Sequence, residues 1–164
     1  MKTLVVTIGL ALMLAPAAPA FADRSGLAPA DEYFGRSHLS VLGVRNAIKD
    51  LTSREDMHID GDEAVVYGKL LIVEDAITDW RAKFPADTWL PRLGLSLARA
   101  WSKLEFADAA GRASAALDWI AREYPDSAAA PWAATYRNAP RALATADTAA
   151  DVPAVPIEEQ VSTP

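Results

Sequence analysis

The chain has no cysteine among its 164 residues. That excludes a disulfide framework, a cysteine nucleophile and a lipidated cysteine anchor, so packing alone must hold the fold. Histidine is nearly as scarce. Only His38 and His58 occur, and two imidazoles cannot make a zinc site unless carboxylates come in from elsewhere. Basic charge is in deficit, with 16 Lys and Arg against 22 Asp and Glu, a net charge of −6. Nucleic-acid binding needs a basic face, so no nucleic acid is expected as a partner. The longest apolar run, Leu4 to Ala15, has 12 residues, whereas a retained membrane span needs about 20. There is no G-x-S-x-G, no P-loop and no twin arginine. No catalytic residue, cofactor or metal is expected, and the chain does not read as an enzyme.

What is present begins with an export signal. Lys2 precedes the apolar run, and "PAAPAFA" follows it with small residues. Ala20-Phe21-Ala22 fits the A-x-A rule, which predicts cleavage between Ala22 and Asp23. Residues 1–22 then form a signal peptide, and the product lies in the periplasm or is secreted, with no stable membrane anchor. Their removal takes away Lys2 and no acid, so the charge of −6 becomes −7. The remainder is the length of one ordinary domain.

Beyond the signal, glycine and proline fall mainly between runs of helical periodicity, which predicts an all-α fold of about five helices and no sheet. The first run is Asp31 to Ser53, with Asp31 as its cap and Phe34, His38, Val41, Val44, Ile48 and Leu51 on one face. The second, Asp62 to Phe84, carries Val66, Leu70, Val73, Ile77, Trp80 and Phe84 at alternating steps of four and three. The third starts at Asp87 or Thr88 and reaches Glu105, with Leu90, Leu93, Leu97, Trp101 and Leu104 as its buried stripe. With Thr88 as cap, Pro91 is the third helical residue, where no N–H is needed. The fourth, Ala107 to Tyr124, buries Ala110, Ala113, Leu117, Ile120 and Tyr124. Ser127 caps a short fifth helix, Ala128 to Arg137, carrying Trp132 and Tyr136. Residues 23–138 thus form the helical domain. Residues 139–164 hold prolines and few large apolar side chains, which predicts a disordered tail.

Three groupings invite a chemical reading. Asp56, Asp60, Gly61 and Asp62 fit a calcium loop, but Tyr67 stands where the bidentate glutamate must be, so a polar connection with a capping aspartate is the better reading. Glu74, Asp75 and Asp79 could pair as carboxylates, yet helical phase puts Asp75 and Asp79 on a solvated face. His38 falls on the apolar face of the first run, where a satisfied, half-buried imidazole is expected. A pocket between the first two helices near His38 and Arg45, for a small ligand, is the alternative to a binding surface.

The chain writes the same break twice: "FPADTWLP" from Phe84 and "YPDSAAAP" from Tyr124. Each proline stops a helix, because it has no N–H and its ring clashes with the preceding turn. The unit from Phe84-Pro85 to Tyr124-Pro125, with Ala98 and Trp101 on its first helix and small residues from Ala109 to Ala116 on its second, resembles tetratricopeptide-like repeats of bacterial envelope proteins. Outer-membrane-assembly lipoproteins and the periplasmic coordinator of the Tol system carry such repeats. The spacing here is 40 residues, where the common repeat has about 34. The resemblance implies antiparallel hairpins in tetratricopeptide-like stacking and a groove lined by first helices that binds a protein or peptide partner. Arg92, Ser96, Arg99 and Lys103 advance by four, three and four along the third run, forming a basic stripe in an acidic protein. These four are the candidate partner-binding residues. Charge pairing with neighbouring acids is the competing account of the stripe.

Overall fold

The computed structural model describes residues 26–52 and 63–146. The expected signal segment and cleavage point, His58 and the acids of the calcium-like loop lie outside the described residues. The fold is all-α, with five helices among the described residues: α1 (Val41–Thr52), α2 (Glu63–Lys83), α3 (Leu90–Ser102), α4 (Ala109–Glu123) and α5 (Ala130–Tyr136). A 3-10 turn, Pro140–Ala144, follows α5. The connections Phe84–Trp89, Lys103–Asp108 and Tyr124–Ala129 are short, so consecutive helices pack as neighbours.

The first correction lies ahead of α1. Residues expected to begin a helix at Asp31 instead form a small antiparallel hairpin of β1 (Tyr33–Phe34) and β2 (Leu39–Ser40), with Tyr33 opposite Ser40 and Phe34 opposite Leu39. Gly35 and His38, in the turn, both have positive φ, 65° and 50°. A helix through them is therefore broken, and the helical spacing of Phe34 and His38 is coincidental. The cap of α1 is not Asp31 but Ser40, whose Oγ accepts the N–H of Gly43 at 3.1 Å. The hairpin is seated on α2. Phe34 is fully buried and stacks on Trp80, ring centroids 4.7 Å apart and planes within 2°. Burial of one such ring contributes about 1.5–3 kcal/mol.

The carboxylates expected on a solvated face of α2 hold this hairpin. Asp79 accepts the N–H of Gly35 at 2.9 Å, and Asp75 that of Arg36 at 2.8 Å. Lys83 reaches Glu32 at 3.1 Å and Asp79 at 3.2 Å. The Arg36 backbone N–H holds the Asp75 carboxyl below its ordinary range, and the bond to Glu32 pushes the Lys83 ammonium up. Gly35 approaches so closely that a Cβ there would meet the backbone of Ala76 at 2.9 Å.

Helix α3 is the centre of the molecule. Ten of its residues are buried, Leu93, Leu97 and Trp101 among them. It packs against α1, α2, α4 and the 3-10 turn. Gly94 explains the closeness of α3 to α4, since a Cβ on it would lie 2.4 Å from the Trp119 ring. Leu104 is buried as expected, and so are Val66, Leu70, Val73, Ile77 and Trp80 of α2 and Ala113, Leu117 and Ile120 of α4.

The disorder expected from residue 139 onward does not hold for residues 139–146. Leu143 is fully buried, and the 3-10 turn that carries it packs against α3, α4 and α5. Residues 139–146 therefore belong to the folded domain, and the expected boundary at 138 is too early. A single large apolar side chain within an otherwise small and polar stretch supplies the anchor.

Candidate functional site

The two breaks seen in the sequence are the same structure made twice. In the first, Phe84 N–H donates to the Trp80 carbonyl, Asp87 N–H to that of Phe84, Leu90 N–H to that of Asp87 and Leu93 N–H to that of Trp89. In the second, Tyr124 donates to Ile120, Ser127 to Tyr124, Ala130 to Ser127 and Ala133 to Ala129. Every donor and acceptor is displaced by 40 residues. Pro91 and Pro131 also correspond, each within the first two residues of its helix, where a missing N–H costs nothing. Pro91 is thus the second helical residue, one earlier than expected, and Thr88 does not cap.

No side chain caps α3, but Asp87 organises the chain just ahead of it. Its carboxylate is 1% exposed. Oδ1 accepts the Trp89 N–H, and Oδ2 accepts both the Ala28 N–H and the Trp80 indole N–H, each at 2.9 Å. One buried acid thus ties together the end of α2, the start of α3 and the segment before the hairpin. Its counterpart Ser127 does not cap α5 with an accepted N–H; its hydroxyl donates to the Tyr124 carbonyl at 2.8 Å. The second break reaches back to the first, because the Tyr124 hydroxyl donates to the Pro85 carbonyl at 2.7 Å. Burial pushes this phenol up to about 12.

Between the two breaks lies a cleft of about 460 Å³. Pro91 and Leu95 of α3 and Tyr124, Pro125 and Ala129 of the second break give it apolar walls, and Arg92, Glu123, Thr88 and Asp126 add charged and polar groups. The volume is in the range of pockets that bind side chains or small molecules.

The predicted stripe divides along this geometry. Arg92, Ser96 and Arg99 are the residues of α3 that remain partly exposed, so the helix is open to solvent along that strip. Lys103 continues it just past the helix end, also partly exposed. Arg92 lines the cleft and makes no ion pair among the described residues. Arg99 is already engaged, donating from Nη2 to the Ala146 carbonyl at 2.7 Å. The structure therefore does not present the four residues as one open surface. The 3-10 turn covers the C-terminal half of α3, and the N-terminal half opens into the cleft.

His38 is exposed in the hairpin turn rather than half-buried on a helix. The Arg45 guanidinium lies over the Trp89 ring, 4.0 Å from its centroid. Tyr67, the residue at the twelfth position of the calcium-like loop, donates its hydroxyl to Asp108 at 2.8 Å. Trp101, expected in the core, is fully buried, edge-on to Tyr67 with centroids 5.3 Å apart. No group of three or more His, Asp or Glu side chains able to hold a metal occurs among the described residues.

The roles of Asp87 and Tyr124 were not read from the sequence. The signal for the first was available, since an acid two residues after a helix-ending proline commonly accepts a nearby backbone N–H. Tyr124 in place of Phe84 was the signal for the second. Compared with models of known families, with curated proteins and with solved structures, the chain matches none.

Proposed function

We propose that this protein is a helical-repeat binding module of the bacterial cell envelope, which seats an extended segment of a protein partner in the cleft between its two aromatic–proline turns. The observation that carries the reading is the position of that cleft. It lies between two turns of identical backbone hydrogen bonding, as expected where neighbouring helical hairpins stack in the tetratricopeptide manner. Apolar side chains of the partner enter between Pro91, Leu95 and Tyr124. A partner carboxylate pairs with Arg92, whose planar fork suits it. Arg99 acts differently, holding the chain's own Ala146 carbonyl and fixing one end of the groove.

Placement in the envelope rests on the charged start, the 12-residue apolar run and Ala20-Phe21-Ala22. No helix among the described residues is long and apolar enough to cross a membrane. N-terminal sequencing of exported protein should return Asp23; Met1 would overturn the processing. The binding reading is tested in cells with a photo-crosslinking residue at Thr88 or Asp126, both exposed beside the cleft, and at Ile72 on α2 as control. One envelope protein should be captured at the first two positions, not at Ile72, and its capture should fall when Arg92 becomes Glu. Equal capture at all three positions, or capture indifferent to Arg92, contradicts the proposal.

A further inference from the structure

A second cleft, of about 280 Å³, opens between α2 and α4. Its walls follow from helical spacing. Arg112, Ala115, Ala116, Trp119 and Arg122 step by threes and fours along α4, while Glu74, Thr78 and Arg81 do so along α2. The alanines leave the space, Leu97 of α3 lines it as well, and three guanidiniums come together around it. In an acidic chain this is an unusual place for positive charge to gather.

Two of the three arginines are held in position by groups that leave part of each fork uncommitted. Arg112 donates from Nε to Asp108 at 2.7 Å and from Nη1 to Glu74 at 3.0 Å. These carboxylates hold its guanidinium charged, well above the ordinary arginine range. Arg81 pairs through Nε with Glu123 at 3.2 Å and lies over the Trp119 ring, 5.2 Å from its centroid. The second terminal nitrogen of Arg112 and both of Arg81 make no hydrogen bond among the described residues. Arg122 is exposed, and its side chain makes no hydrogen bond or ion pair among the described residues. Glu74, Asp108 and Glu123 balance the three positive charges overall. They do so by occupying Nε and Nη1 of Arg112 and Nε of Arg81, which leaves Arg122 and the other fork nitrogens as donors.

We propose that this cleft binds a small dianion through an oxyanion head, phosphoryl or carboxylate, held among Arg81, Arg112 and Arg122. Preset guanidiniums bind such groups well, because little ordering remains to be done when the ligand arrives. The non-polar part of the ligand rests on Ile77 and the Trp119 ring. Arg122 closes over the head from the cleft edge, being the one cation of the three with no competing carboxylate. Glu123 lines the other cleft and pairs with Arg81 of this one, but the ligand chemistry here is distinct, and the site stands independently of the partner-binding proposal.

The test is isothermal titration of the purified protein with pyrophosphate, inorganic phosphate and succinate, each at low and high salt. Saturable binding with Kd below about 1 mM is expected for pyrophosphate or succinate. Stronger pyrophosphate binding identifies a phosphoryl ligand, and stronger succinate binding a dicarboxylate. Arg122→Gln, which removes no side-chain hydrogen bond or ion pair among the described residues, should weaken that binding about tenfold, as loss of a charge-assisted hydrogen bond does. Its melting temperature should match the wild type. Arg92→Gln, in the other cleft, should bind the dianion as the wild type does. Absence of saturable binding up to about 10 mM overturns the proposal. So does an affinity that Arg122→Gln leaves unchanged, or one that Arg92→Gln lowers equally.

Discussion

Asp87→Ala should be among the most damaging single substitutions in the chain. The carboxylate is buried and takes three N–H groups at 2.9 Å, from Ala28, Trp80 and Trp89. Alanine leaves all three without an acceptor. The Trp80 indole is fully buried, so its stranded N–H carries the larger penalty, about 1–3 kcal/mol. The two backbone groups are part-buried and cost about 0.5–1.5 kcal/mol each where water reaches them. The sum is about 2–6 kcal/mol, against a total stability of about 5–15 kcal/mol for a domain of this size. Asp87→Asn should cost less, because its one oxygen can still serve Ala28 and Trp80 while its amide opposes the Trp89 N–H. Urea denaturation followed by tryptophan fluorescence measures both, with an unchanged slope confirming that the same surface unfolds. An unfolding free energy for Asp87→Ala within about 0.5 kcal/mol of wild type would refute the role given to this residue.

Gly94→Ala forces a methyl to within 2.4 Å of the Trp119 ring, and overpacking of this kind should cost about 1–3 kcal/mol; an unchanged melting temperature would mean that α3 and α4 lie farther apart than described. Truncation after residue 138 removes Leu143 and should cost about 2–5 kcal/mol, in the range of buried leucine deletions. Truncation after Ala146 should cost less than about 1 kcal/mol, and equal melting of the two truncations would show that the 3-10 turn does not pack. The Asp75 carboxyl is held below its ordinary value of 3.8 by the Arg36 N–H. Its contribution is therefore complete above that value and is lost as pH falls through the depressed one. Amide protection at Arg36 should fall in that acid window, and Asp75→Asn should abolish the pH dependence; protection constant down through that window would contradict the contact.

The helices were legible because their apolar faces repeat at helical period over long spans. Val66 to Trp80 and Leu90 to Leu104 name the core almost residue by residue. The hairpin was not legible from periodicity, because Phe34 and His38 match the helical phase of α1 by accident. Gly35 was the available sign, and the decisive fact, that Asp75, Asp79 and Trp80 await the hairpin on α2, is tertiary. The same reason hid the use of those aspartates, since a helical phase says which side faces away from one neighbour and not whether another element covers it. Arg92, Ser96 and Arg99 do fall on the partly exposed strip of α3, yet its division between a cleft and a covered end depends on Leu143. The repeated break was visible as letters, and the structure adds that its hydrogen bonds repeat as well. The arginine cleft draws on two helices separated by α3, so no local pattern announces it.

The most direct test of the central claim is a titration of the captured partner against wild type, Arg92→Glu and Arg99→Glu, at low and high salt. Arg92 lines the cleft without an ion pair among the described residues, whereas Arg99 is committed to the Ala146 carbonyl. Reversal at Arg92 should weaken binding about tenfold at low salt, since an attraction becomes a repulsion, and the difference should shrink at high salt. Reversal at Arg99 should lower the melting temperature more than the affinity. Equal affinities for wild type and Arg92→Glu, with no dependence on salt, would contradict the account and leave the open strip of α3 as a solvated face.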